Sequence, residues 1–383
     1  MLATGVGRMF VTRSIRLYVA LGAAALVLLG AGVFVAVKLI SSSIDGAIPQ
    51  ADLFGVGGPA VTPTPTVAPT PTGPPPGADI QGPLNFLIVG VDTRTSIPGW
   101  VPHGDAVMIM HVSADLSTAY LTSLPRDLVV DIPAFAPAKF GGAHTKLTHA
   151  MSYGANVPGS RTPNTAQGFQ LMARTVSAYT GIAQFDAGAL LTFGGLKTVV
   201  DAIGGIAINV DQAVVSIHIQ PNGVHRPACG GCAHGYSGPQ ASYNVGMQNF
   251  VGWQALDYSR QRYIAGGDYA RGRHQRQVVK AIIAKAFSSE SLSEPAAIAK
   301  LVQALGDSIV FDGRGRQPSE FAYALRNLRA DKVSLVGLPG DGAYSGGAYI
   351  GESLNGIQSS YFAALRQDNL AAFLAGNPSL VHA

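Results

Sequence analysis

Twenty residues from Tyr18 to Val37, YVALGAAALVLLGAGVFVAV, contain no charged side chain. As a helix rising about 1.5 Å per residue, such a run is about 30 Å long, the hydrocarbon thickness of a bilayer. The reading is a transmembrane helix over residues 17–40. A cleaved signal peptide is the alternative, but its apolar stretch ordinarily runs about 7–15 residues. Arg8, Arg13 and Arg16 precede the span and only Lys38 touches its far end. The positive-inside rule then gives a signal-anchor topology: residues 1–16 form a short cytoplasmic N-terminus, and everything after the span lies outside the cell membrane.

Residues 41–83 read as an extracytoplasmic linker, because VTPTPTVAPTPTGPPPG favours extended polyproline geometry and offers nothing to a core. At about 3.1 Å per residue it reaches at most about 130 Å. The remainder, 84–383, is expected to be one domain. With 47% hydrophobic and 13% charged residues in a chain of 383, a wholly disordered protein is excluded. The net charge of +4 comes from 26 basic and 22 acidic side chains, and four of the basic ones lie in the first 40 residues. Residues 41–383 therefore carry 22 basic and 22 acidic side chains and are neutral, which argues against a nucleic-acid partner.

From Asn85 onward, strand and helix signals alternate, as in an α/β domain. NFLIVGVD reads as a buried strand ending at Asp92, followed by the antiparallel pair AVMIMHVS and TAYLTSLPRD. TAQGFQLMARTVSAYTG reads as a helix with Thr165 as its cap and Gly181 as its stop, and FGGLKTVVDAIGG as a helix running into the strand IAINV. Residues 211–250 lose all periodicity. GWQALDYSRQR and DYARGRHQRQVVKAIIAKAFSS resume as a short and a long helix, with Asp268 at the start of the second; two or three further helices and one strand, KVSLVGL, complete the expected fold. The sheet is mixed and central, with helices flanking it.

Three groups of residues carry candidate chemistry. Asp92 and Asp105 flank TRTSIPGWVPHG, each beside a strand end, where two carboxylates suit Mg²⁺ that also binds water and phosphate oxygens; the plainer reading is two loop aspartates capping backbone. In SLPRD, Arg126 directly follows a strand, either pointing into a cleft or pairing with a neighbouring Asp at the surface. Residues 257–280 concentrate Arg260, Arg262, Arg271, Arg273, Arg276 and Lys280 against Asp257 and Asp268. Arginine-rich clusters fit bidentate phosphate contact. Arg273, Arg276 and Lys280 share one helical face and read equally as a solvated basic stripe, whereas Arg260, Arg262 and Arg271 sit at a helix end and around a Gly-Gly turn.

Taken in order, FLIVGVD, GDAVMIMHV, LTSLPRD, KLTHAMSYG, VVDAIGGIAINV, GWQALDYSRQR and GGDYAR, over roughly residues 84–285, resemble the motifs of the LytR-CpsA-Psr family of cell-wall polymer transferases. The resemblance implies an α/β/α sandwich that takes a polyprenyl-pyrophosphate-linked glycan and passes its phosphoglycan to a peptidoglycan hydroxyl, releasing polyprenyl phosphate. It implies Mg²⁺ (or Mn²⁺) at Asp92 and Asp105, and pyrophosphate contact by Arg126, Arg260, Arg262 and Arg271. Asp268 matches the acidic residue of the G-D-x-x-R turn. Arg126 and Asp268 are the expected catalytic pair, with Asp268 and Asp127 the candidates for general base.

Two departures stand out. His103 occupies a position two residues before the second Asp where the family usually carries Arg, and GRHQRQ places His274 where Arg is usual, with Arg273 and Arg276 nearby to compensate. They leave open a non-catalytic or regulatory binder of wall or lipid pyrophosphate; a further alternative, because transfer and hydrolysis share one site, is a hydrolase that uses water as acceptor. Cys229 and Cys232, the only cysteines, lie in HRPACGGCAH, where a short disulfide is the first reading and a zinc site with His225 and His234 the second.

Overall fold

The computed structural model describes residues 45–55, 76–92, 99–286, 306 and 309–382. The expected membrane span and most of the Pro/Thr stretch lie outside the described residues; among those described, no helix is long and apolar enough to cross a membrane.

In chain order the strands are β1 (Leu84–Asp92), β2 (His103–Val112), β3 (Ala119–Leu124), β4 (Val129–Ile132), β5 (Ala143–Lys146), β6 (Ala187–Thr192), β7 (Ile206–Val210) and β8 (Val214–Val215). They continue with β9 (Ser242–Tyr243), β10 (Gly246–Phe250), β11 (Ile309–Asp312), β12 (Val333–Gly337), β13 (Gly340–Ser345), β14 (Ala348–Leu354) and β15 (Val381–His382). The helices are α1 (Thr148–Ala155), α2 (Thr165–Thr180), α3 (Phe193–Ala202), α4 (Gly252–Arg260), α5 (Gly267–Ala286), α6 (Pro318–Ala324), α7 (Ile357–Arg366) and α8 (Leu370–Ala375).

Seven strands form one mixed sheet in the order β11-β6-β1-β2-β3-β12-β15. β1 runs parallel to β6 and β3 parallel to β12, while β1–β2 and β2–β3 are antiparallel. The carboxyl ends of β1, β3, β6 and β12 therefore meet at one edge, together with the start of β2. Both faces are covered, which is why β1 is apolar from Phe86 to Val91 rather than alternating. Leu84, Phe86 and Ile88 pack with α3, α4, α5 and α6 on one side. Leu87, Val89 and Val91 pack with α1, α2, α7 and α8 on the other.

Several expectations are corrected. The α2 cap is Asn164, whose side chain accepts the Gln167 N–H at 3.0 Å; Thr165 is already helical. Residues 45–55, assigned to the linker, pack on the domain. Ile48 and Leu53 are buried there, the Ala51 N–H reaches the Phe311 carbonyl and the Leu53 N–H reaches Asp312 Oδ2. DGAIPQADLF carries enough apolar side chains to do this, unlike the Pro/Thr run after it. The last third holds four strands besides KVSLVGL: β11, the β13–β14 hairpin and β15. The aperiodic 211–250 contains the short β8–β9 pair, and β10 pairs with β7.

Candidate functional site

The carboxyl edge of an open α/β sheet is where strand ends and helix starts leave room for a ligand, and the charged residues of this chain gather there. Asp92 is the last residue of β1. Its neighbour β2 pairs Val91 with Gly104 and Gly90 with Ala106, so Asp105 is the extra residue of a bulge beside the same strand end. Arg126 follows β3 across Pro125, and Asp268 begins α5, which lies over the sheet.

Arg126 is the hub. Its Nη1 pairs with Asp105 Oδ1, its Nε lies 3.4 Å from Asp127 Oδ1, and its backbone N–H points to Asp268 Oδ2 at 3.3 Å. Burial lowers its proton affinity, but Asp105, Asp127 and Asp268 outweigh that and the net direction is upward. Arg260 Nη2 stands 3.9 Å from Asp92 Oδ2. Arg271 Nη2 is 2.5 Å from Asp268 Oδ1, an ion contact without hydrogen-bond alignment, since Asp268 Oδ1 and Arg271 Nε are both buried with no hydrogen-bond partner. Burial pushes the Asp268 carboxyl above its ordinary range and Asp127 adds to this, while Arg271 and Arg126 pull it down. The same burial lowers the Arg271 pKa.

Asp105, Arg126, Asp127, Asp268 and Arg271 thus form one connected group, and the Asp92–Arg260 pair stands at the neighbouring end of β1. Arg262 is exposed; it lies over the Tyr263 ring and lines a small pocket with Arg260, His218 and His234 rather than joining the carboxylates. Sequence reasoning assigned no role to Lys146, whose Nζ is 3.8 Å from Asp127 Oδ1 and sits over the Tyr349 ring. Its signal was its place in KLTHAMSYG.

Both histidine departures now have positions. The His103 ring contacts the Val101 carbonyl at 3.0 Å. His274 is fully buried, stacked 4.2 Å from Tyr258, and near Asp211 on the core side of α5; the change there falls in the core, away from the carboxylate group. Arg276 is buried as well, and Arg273 pairs with Asp211, which corrects the solvated-stripe reading for both. Cys229 and Cys232 are joined by a disulfide. It closes a loop that Arg226 also holds, donating to the carbonyls of Ile217, Tyr236 and Gly238.

As a metal site, two carboxylates on adjacent strands fit a cation such as Mg²⁺ that completes its shell with phosphate oxygens and water. Among the described residues no group of three or more Asp, Glu, His or Cys residues is arranged to hold a metal by protein ligands alone.

Two cavities adjoin the group under α5. One is apolar, bounded by Ile88, Met108, Leu191, Leu196, Val278 and Val279. The other, about 430 Å³, has a mixed wall that includes the charged side chains of Asp268, Arg271 and Arg276; Gln275 lines both.

The LytR_cpsA_psr family model matches residues 66–367. The chain belongs to the LytR-CpsA-Psr family. It is 27% identical over 267 residues to polyisoprenyl-teichoic acid–peptidoglycan teichoic acid transferase TagU of Enterococcus faecalis, covering 68% of this chain and 73% of that protein. It is 26% identical over 313 residues to the cell wall biosynthesis protein LcpA of Corynebacterium glutamicum, covering 76% of this chain and 56% of that protein. Among solved structures, a Streptococcus agalactiae protein aligns with a TM-score of 0.56 at 21% identity, covering 75% of this chain and 88% of that one. TagT bound to LIIa-WTA aligns with a TM-score of 0.52 at 22% identity, covering 77% and 92%. At these identities the structural likeness speaks for the fold, a LytR-CpsA-Psr α/β architecture with a large mixed sheet between helices.

Proposed function

We propose that the protein is a phosphotransferase that moves a phosphoglycan from a polyprenyl-pyrophosphate carrier to a peptidoglycan hydroxyl and releases polyprenyl phosphate. The observation that carries this reading is the convergence of Asp92, Asp105, Arg126, Arg260, Asp268 and Arg271 at one sheet edge, between an apolar and a mixed-walled cavity. The names of relatives, a teichoic acid transferase and a cell wall biosynthesis protein, support a wall-polymer substrate.

In this reading Arg126, Arg260 and Arg271 exchange their carboxylate partners for phosphate oxygens, fixing the pyrophosphate for in-line attack and neutralising charge that spreads over those oxygens in the transition state. Bound between Asp92 and Asp105, Mg²⁺ (or Mn²⁺) would add Lewis-acid neutralisation of the same oxygens. The acceptor hydroxyl oxygen forms the new bond to the glycan-side phosphorus and the bridging P–O bond breaks. The electron pair leaves with polyprenyl phosphate, and the hydroxyl proton passes to Asp268. A carboxylate whose pKa is raised by burial is a better proton acceptor than an ordinary one, which favours Asp268 over Asp127, held by Arg126 and Lys146. An extracytoplasmic, membrane-anchored position, as the Tyr18–Val37 run suggests, would bring the site to both lipid carrier and wall.

The test supplies the full chain with a polyprenyl-pyrophosphate glycan and peptidoglycan, with and without Mg²⁺, for wild type, Asp92→Asn and Arg126→Met. Metal-dependent release of polyprenyl phosphate together with acceptor-linked glycan, absent from both variants, is the expected result. Release without acceptor linkage would make the protein a hydrolase, and lipid binding without release a binding protein.

A further inference from the structure

The mixed-walled cavity of about 430 Å³ contains a cationic side chain, Arg276, that the phosphoryl-transfer reading does not use. Arg276 projects into it from α5 and is 4% exposed, and its Nε has no hydrogen-bond partner. The Ser123 hydroxyl, on the end of β3 in the same wall, is also buried and unpartnered. Burial and Arg273 bring the Arg276 pKa down to about 10, and the influence opposing them is the Tyr361 phenol, not a carboxylate. The imidazole of His382, on β15, completes this wall, itself disfavoured as a cation by burial and by Arg276 and Arg273. Gly337 makes the arrangement possible: a Cβ there would stand 2.8 Å from Arg276 Nη2 and still closer to His382 Nε2.

A buried guanidinium without a counter-charge is a costly thing to fold, and proteins keep such groups where a ligand supplies the missing charge. The guanidinium fork matches the two oxygens of a phosphate or a carboxylate, and the volume is that of a small-molecule subsite. We propose that this cavity, whose wall also includes Arg271 and Asp268, holds a second anion-binding subsite centred away from Arg126 and Arg260, in which Arg276, Ser123 and His382 hold one phosphate or carboxylate group. That the anion belongs to a wall substrate rests on the transfer reading above; that the cavity binds an anion does not. The source is either a phosphate along the transferred polymer or a carboxylate of the acceptor.

The experiment measures binding of inorganic phosphate, glycerol phosphate and glucuronate to the full chain without divalent cation, by calorimetry and by the ligand-induced rise in Tm. Arg126→Met, which removes a contact of the first site, is expected to lose one phosphate-binding event and keep a second; that second event is within about threefold of wild type in Arg276→Lys and weaker by about tenfold or more in Arg276→Met. Removal of an unpaired buried charge leaves the Tm of ligand-free Arg276→Met unchanged or raised. Should that variant not fold, Gly337→Ala, which crowds the cavity without removing a charge, is expected to weaken binding by the same factor. Preference for glycerol phosphate points to the polymer, and preference for glucuronate to the acceptor. Equal phosphate affinity for that second event in wild type and Arg276→Met, or in wild type and Gly337→Ala, overturns the proposal, as does no binding of any of the three probes. No lipid carrier or acceptor is present in these arms, so their outcome is separate from that of the turnover assay.

Discussion

Replacing Arg126 by Met should expose how strongly the site depends on one cation. The guanidinium lies against Asp105 and Asp127 while its own backbone holds Asp268, and its side chain is 23% exposed against 14% for Asp105. Without it, Asp127 keeps Lys146 and Asp268 keeps Arg271, while Asp105 loses the guanidinium it pairs with. Breaking a fully buried ion pair costs about 3–5 kcal/mol; with about a quarter of the side chain in solvent, the expectation for Arg126→Met falls to about 2–3 kcal/mol. Asp105→Asn removes one of three carboxylates and leaves Arg126 paired with Asp127, for a cost of about 1 kcal/mol. The double variant should then be less destabilised than the sum, by about 1–2 kcal/mol, because the second change relieves repulsion created by the first. Urea unfolding of the four proteins at constant ionic strength measures the cycle; guanidinium chloride would screen the effect it is meant to detect. Additivity within about 0.5 kcal/mol would refute the hub arrangement.

Two further outcomes follow from the buried core and the loop. His274 has its pKa lowered to about 4, first by burial, so the fold favours the neutral ring; the stability this provides is complete above the ordinary value of about 6.5 and is lost as pH falls from there toward 4, by up to about 3 kcal/mol. Urea midpoints across that range should drop more steeply for wild type than for His274→Phe, which keeps the stack on Tyr258, and parallel profiles would count against it. The Cys229–Cys232 ring spans so few residues that chain entropy credits it with only about 2 kcal/mol. Since Arg226 also ties the loop, Cys229→Ser with Cys232→Ser should lower the Tm by a few degrees, and a collapse of the fold in that variant would show that the bridge does more.

The central strands were readable because burial on both faces writes them as unbroken apolar runs, as in FLIVGVD. The β13–β14 hairpin was not: GDGAYSGGAYIGESL is rich in glycine and largely exposed, so neither apolar periodicity nor propensity marks it. Asp92, Asp105 and Arg126 could be picked out because each stands at the end of a legible strand. Lys146 could not, because it closes a four-residue strand, AHTK, whose pairing with β4 depends on tertiary context. Arg276 was misread for a different reason. Helical spacing shows which residues share a face, but not whether that face meets water or, as here, the far ends of β3 and β12.

Gln275 is the one side chain common to the walls of the apolar and the mixed-walled cavity. An occupant of one that turns this amide alters the wall met by an occupant of the other, and thermodynamic reciprocity requires the influence to be equal in both directions. A small apolar guest and an anion that never touch would then read each other's presence through a single rotamer on α5. Order of loading is thereby an energetic property of the molecule, set by how far that one amide prefers the same orientation for both guests.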